Sequence, residues 1–269
     1  MSLQKLPKNF PDATATRQLY TRSDVRVDDL PCLLRPHPYS RKMLRDPDTG
    51  RAGLAGDAIG VGPWLDTLLP HGLAPADIVV AYGLPGVGAS TLALTVAAHA
   101  ANYGPVAWIT TAGQRSLSQL REMQVRLNIE HDKISFIQLD HAVDVVELMR
   151  QTLPAVCVVD RIQDLGAWKS SAVRAAYRAL AHEARMRGTV LWLNSRTNAA
   201  DEPFGLGRYV GDVSLALRLH RPVVLAGARC ADITTAPLTV TVARSGHRVV
   251  PQGRSVHLGL GESGLFLRS

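Results

Sequence analysis

With 269 residues, 46% of them hydrophobic and 20% charged, the chain can bury one substantial core and is too apolar to be intrinsically disordered. Its apolar runs, such as 92–101, are short and broken by polar residues, and its first residues (MSLQKLPKNF) lack the apolar stretch of a secretion signal, so a cytoplasmic protein without membrane contact is expected. The formal net charge of +7 rests mostly on arginine, which fits either an arginine-rich genome or an affinity for polyanions, and residues 205–269 hold eight arginines against three acidic residues.

Residues 1–57 carry Pro7, Pro11, Pro31, Pro36, Pro38 and Pro47 and no sustained helical or strand period. They read as an extended arm with one short helix near 14–20. The pattern then changes, and residues 58–269 form the expected core. Segments 77–82, 106–110, 134–138, 155–159 and 189–193 read as buried strands, the fourth ending at Asp160. Helices are predicted at 90–102, 117–127, 143–151 and 172–186. Alternating strands and helices define an α/β fold with a mostly parallel sheet and helices on both faces. Beyond Gly211, segments 213–219, 238–242, 256–258 and 265–267 alternate apolar and polar residues, which predicts antiparallel strands closing the sheet at its C-terminal side. Cys32, Cys157 and Cys230 are far apart and in no ligand spacing, so neither a disulfide framework nor a metal centre is expected. Cys157, inside AVCVVD, reads as a small core residue.

Between the first strand and the first long helix lies Gly83-Leu84-Pro85-Gly86-Val87-Gly88, followed by Ala89, Ser90 and Thr91. Glycines at a strand-to-helix turn let backbone N–H groups converge on a phosphate at the helix N-terminus. Gly83, Gly88 and Ser90 match the motif G-x-x-x-x-G-K-[ST], but Ala89 stands where its lysine belongs. The loop therefore has two readings, a phosphate cradle or a turn kept for the fold alone.

Residues 58–269 resemble the ATPase core shared by RecA, the RadA/Sms repair proteins and DnaB-type helicases, with RadA/Sms the nearest pattern. The resemblance is carried by IGVGPWLDTLLPHGLAPADIVV ahead of the loop and by TAGQRSLSQLREMQVRLNI, with Ser116, Gln119, Arg126, Leu127 and Ile129 matching. PAVCVVDRIQDL and VRAAYRALAHEARMRGTVLWLNSRT continue it. It implies a nucleotide site formed by Gly83, Gly86, Gly88, Ser90, Thr91 and Asp160, the last where Mg²⁺ would be held. The departures imply that the site is vestigial. Gln114 takes the place of the glutamate that activates water, Ser195 and Asn198 replace a histidine and a lysine, and Ala243 replaces another lysine near Arg244 and Arg248. The zinc module and protease-like domain that flank the RadA/Sms core have no counterpart in this sequence. Losing one preorganised charge-stabilising donor slows a reaction about 100- to 1,000-fold, and losing a general base costs about 100- to 10,000-fold. Lys133 and Lys169, the only lysines beyond residue 42, offer no evident substitute. No catalytic residue is therefore expected, no cofactor is required, and ATP with Mg²⁺ is at most a weak ligand.

The resemblance also implies two DNA-facing loops, 161–171 with Trp168 and Lys169, and 194–210 with Arg196, Phe204 and Arg208. Gly205 and Gly207 are expected to make the second loop mobile, while Asp201 and Glu202 oppose a simple phosphate groove. Arg244, His247, Arg248 and Arg254 form a separate basic cluster. The reading that follows is a non-catalytic RecA/RadA-like accessory of DNA recombination, repair or replication. Its expected partners are a related ATPase, polymerase or helicase, engaged through the arm, and single-stranded DNA. Two alternatives stand beside it: a divergent DNA-dependent ATPase completed by a partner, and a structural or signalling module without DNA contact.

Overall fold

The segments richest in Val, Ile, Leu and Trp become strands whose two faces are both covered, which is why they show no polar alternation. In the computed structural model, which describes residues 58–60, 62–69, 72–111, 117–127, 129, 134–207, 212–221, 237–246, 251–261 and 264–267, these are β1 (Ile78–Gly83), β2 (Val106–Thr110), β4 (Val156–Val159) and β5 (Val190–Arg196). The helices are α1 (Pro63–Asp66), α2 (Ala89–Ala100), α3 (Leu117–Arg126), α4 (Ala142–Thr152), α5 (Ile162–Leu165) and α6 (Ser170–Arg187). β3 (Ile134–Gln138), β6 (Leu215–His220), β7 (Leu238–Ser245), β8 (Ser255–Gly261) and β9 (Gly264–Leu267) complete a nine-stranded sheet in the order β3-β2-β4-β5-β1-β6-β7-β8-β9. The arm 1–57 with its predicted helix, and Cys32 and Cys230, lie outside the described residues.

Successive strand residues feed opposite faces. Val79, Trp108, Val158 and Trp192 join Leu92 and Val96 of α2 and Leu120 and Met123 of α3 in one core. Val80, Ile109, Val159 and Leu193 join Val145 and Met149 of α4 and Tyr177 and Leu180 of α6 in the other. Cys157 is fully buried in this second core, and burial pushes its thiol up to about 12. α4 and α6 are also joined by a buried carboxylate: Glu183 accepts hydrogen bonds from Arg150 Nε at 3.0 Å and Arg187 Nε at 2.8 Å. Among the described residues no helix is long and apolar enough to cross a membrane.

One strand departs from expectation. β6 alternates like an antiparallel strand, with Arg218 and His220 exposed among buried residues, yet it pairs in parallel with β1 and only then antiparallel with β7. Its alternation reflects partial solvent exposure rather than strand direction. The connection from β5 returns the chain to the start of β1, where Ser214 N–H donates to Ile78 O at 2.9 Å and Ser214 Oγ accepts from Ile78 N–H at 3.1 Å. The sheet is parallel from β3 to β6, and β7, β8 and β9 close it in the antiparallel sense expected.

Candidate nucleotide site and adjoining loops

The carboxyl edge of the parallel strands gathers the residues singled out in the sequence. β1 ends at Gly83 because β6 comes too close for a side chain: a Cβ there would meet Leu219 O at 2.7 Å. Leu84, Pro85 and Gly86 are exposed, Val87 is buried beneath them, and Gly88 caps α2 in the left-handed region with φ 109°. α2 thus starts at Ala89, and its first-turn N–H groups, which have no intrahelical acceptors, lie at the mouth of the loop.

Below the loop stands Asp160, 4% exposed at the end of β4. Ser90 Oγ donates to it, with both carboxylate oxygens at 3.1 Å, and Asn194 Nδ2 donates to Oδ1 at 2.9 Å. Asn194 Oδ1 in turn accepts from Trp192 Nε1 at 3.0 Å. A hydroxyl and a carboxylate brought together under a phosphate-type loop suit an oxygen-seeking Mg²⁺ carrying phosphates, so these residues fit ATP with its metal. Thr91 turns the other way, with Oγ1 3.9 Å from Met123 Sδ on α3. Ala89 packs against the core and brings no charge. Gln114, Ser116 and Lys133 lie outside the described residues. Gln119 and Arg126 are exposed on α3, whereas Leu127 is buried and Ile129 packs on the core.

Asn194 was not foreseen. The expected position of interest was its neighbour Ser195, whose Oγ instead donates to the Arg196 carbonyl at 3.1 Å. The available signal was a polar residue at the end of the apolar run VLWL. A second unforeseen residue is Arg221, just beyond β6. A Cβ on Gly88 would lie 3.3 Å from its Nη2, so the guanidinium rests against the last glycine of the loop.

The two loops predicted to face DNA meet beside this site. In the first, Arg161 donates to Asp164 Oδ2 at 3.1 Å from Nε and 2.7 Å from Nη2, and Thr111 Oγ1 donates to the same oxygen at 3.1 Å. Asp164 belongs to α5, a one-turn helix inside a segment expected from the sequence to be loop. Ala167 and Trp168 then adopt φ 46° and 59°, left-handed values uncommon outside glycine, which turn the indole outward. Trp168 is 43% exposed, its ring lies 5.6 Å from that of Phe204, and the Arg196 guanidinium sits 4.9 Å over it. Lys169 is exposed beside them; Arg208 lies outside the described residues.

The second loop, up to Gly207, is tied down rather than loose. Asn198 Oδ1 accepts from the N–H groups of Ala200 and Glu202 at 2.9 Å each, and Phe204 N–H donates to Arg196 O at 2.7 Å. Gly205 serves close packing, since a Cβ there would sit 2.9 Å from Val173 Cβ. Asp201 is neutralised by an ion pair with Arg218 of β6. Elsewhere, Ala243 packs on the second core, Arg244 and Arg254 are exposed on the antiparallel side, and His247 and Arg248 lie outside the described residues.

Strand order, glycine loop, helix N-terminus and acidic strand end together form a RecA-like α/β fold. A KaiC-like protein from Pyrococcus horikoshii superposes with a TM-score of 0.62 at 14% identity, over 79% of this chain and 98% of that one. The flagellar accessory protein FlaH from Methanocaldococcus jannaschii superposes with a TM-score of 0.59 at 12% identity, over 76% and 95%. In sequence, the DNA repair protein RadA of Pseudomonas aeruginosa is 28% identical over 136 residues, 48% of this chain and 30% of that protein. RadA of Haemophilus influenzae is 31% identical over 99 residues, 37% of this chain and 21% of that protein. The chain thus spans under a third of the length of the curated relatives it matches. No family model matches it.

Proposed function

We propose that this chain is a non-hydrolysing RecA-like accessory of DNA recombination, repair or replication. It acts by docking on a related ATPase, polymerase or helicase and by touching single-stranded DNA. The observation that carries this reading is one juxtaposition: a phosphate loop with Ala89 in place of its cation, beside an ordered Trp168–Arg196–Phe204 stack with Lys169 at its rim. The loop keeps what binding needs and lacks the charge that stabilises a transition state. The stack offers what single strands take, an aromatic face for a base and guanidinium and ammonium groups for the backbone. The Asp201–Arg218 pair offsets one of the two acidic residues of that loop, while Glu202 stays exposed beside it.

The test has two arms on the purified chain. ATP turnover with and without single-stranded DNA should equal background; a turnover near one per minute (an order-of-magnitude threshold), abolished by Asp160→Ala, would overturn the non-hydrolysing reading. Oligonucleotide binding should weaken with salt, by a logarithmic slope of about 0.7 per phosphate contact. Arg196→Ala should flatten that slope, and Phe204→Ala should lower affinity at every salt concentration. If a variant carrying both Arg196→Ala and Phe204→Ala binds like the wild type, the DNA part of the proposal fails.

A further inference from the structure

The parallel pairing of β6 with β1 places Leu219 opposite Gly83, so the chain leaves β6 beside the phosphate loop. Arg221 is the residue at that exit. Its Nη2 and Cζ lie 3.3 and 3.9 Å from where a Cβ on Gly88 would stand, and Leu238 Cδ2 lies 3.7 Å from the same point. The side chain is half-buried and its Nε is closed off from solvent. Burial lowers its pKa, yet arginine starts so high that it stays charged at neutral pH. A fixed cation thus rests on the last glycine of a loop whose own cation is missing.

We propose that Arg221 replaces that lysine from the neighbouring strand, so that the loop binds the polyphosphate of a nucleotide without turning it over. The proposal rests on reading 83–90 as a phosphate loop. The substitution is chemically apt for holding: a guanidinium offers two parallel N–H donors to one phosphate, whereas an ammonium is a point charge on a flexible stem. It is anchored on a strand end rather than in the first turn of α2, so it supplies affinity along a different approach from the lysine it replaces.

Calorimetry on the full chain tests this with two probes, ATP with Mg²⁺ and inorganic tripolyphosphate, which separate recognition of phosphate from recognition of the nucleoside. The wild type should bind both. Arg221→Gln should weaken both by roughly 10- to 100-fold, the worth of one charge-assisted hydrogen bond, and Arg221→Lys should recover part of the loss. A wild type that binds neither probe at millimolar concentration overturns the proposal. So does an Arg221→Gln variant that binds as well or better, which would make the guanidinium a plug in its own loop. Should Arg221→Gln fail to fold, phenylglyoxal modification of the wild type decides: ATP must shield Arg221, read by peptide mass spectrometry, and equal modification with and without ATP overturns the idea. The two readings fail separately, because wild-type turnover would refute the non-hydrolysing function while the binding comparison would still judge Arg221.

Discussion

At residue 89 one side chain separates this glycine loop from the motif G-x-x-x-x-G-K-[ST]. Ala89 fits the start of α2 and packs against the core, so restoring a lysine there asks only that its ammonium reach out over the loop. Ala89→Lys should tighten ATP binding by roughly 10-fold or more, the scale of one charge-assisted hydrogen bond, without restoring hydrolysis. Calorimetry and a phosphate-release assay on the same protein check both halves. Ala89 was legible in the sequence because the motif is contiguous. Asn194 and Arg221 were not, because their meaning depends on strands β5 and β6 flanking β1, and no local spacing encodes which strands become neighbours.

Among the elements, α4 and α6 show how a charge holds two helices together. Glu183 is 4% exposed and bonded by Arg150 and Arg187. Burial alone would raise its pKa, but the hydrogen bonds from Arg187 and then Arg150 outweigh it and hold the carboxyl below its ordinary value. A depressed carboxylate stabilises the fold fully above its unfolded value, and that contribution is lost as pH falls through the lower, folded one. Glu183→Gln should therefore cost about 1–3 kcal/mol at pH 7, toward the lower end because both arginines are about half exposed to solvent. In urea titrations the gap between wild type and variant should begin to narrow below about pH 4.3, where the unfolded carboxyl starts to bind protons, and should close as the pH falls through the lower folded value. A gap unchanged at low pH would mean that packing, not charge, sets the cost. Elements of this kind were read well from periodicity: each predicted strand and helix from 77 to 193 exists, most within one or two residues of the expected bounds. What escaped were α1 and α5, each only about one turn long, and the direction of β6, whose alternation reports exposure and not pairing.

For the molecule as a whole, the sheet order brings a glycine loop, an acidic strand end and an aromatic–arginine stack to one edge from segments far apart in the chain. The hydrogen bonds at that edge do not stop at the surface. Ser90, Asp160, Asn194 and the Trp192 indole form a continuous relay, and Trp192 is fully buried in the sheet. Any ligand that draws Ser90 or Asp160 toward itself must alter the acceptor of an indole proton in the protein interior. The fold therefore contains its own spectroscopic reporter. In ¹H–¹⁵N spectra the Trp192 indole signal, identified by its loss in Trp192→Phe, should shift when ATP enters the loop. That of Trp108, whose Nε1 has no acceptor among the described residues, should hold still. Bound ATP that leaves the Trp192 signal in place would show the relay to be cut between the loop and the core. A shift on adding single-stranded DNA alone would show that the stack and the phosphate loop sense each other through the sheet.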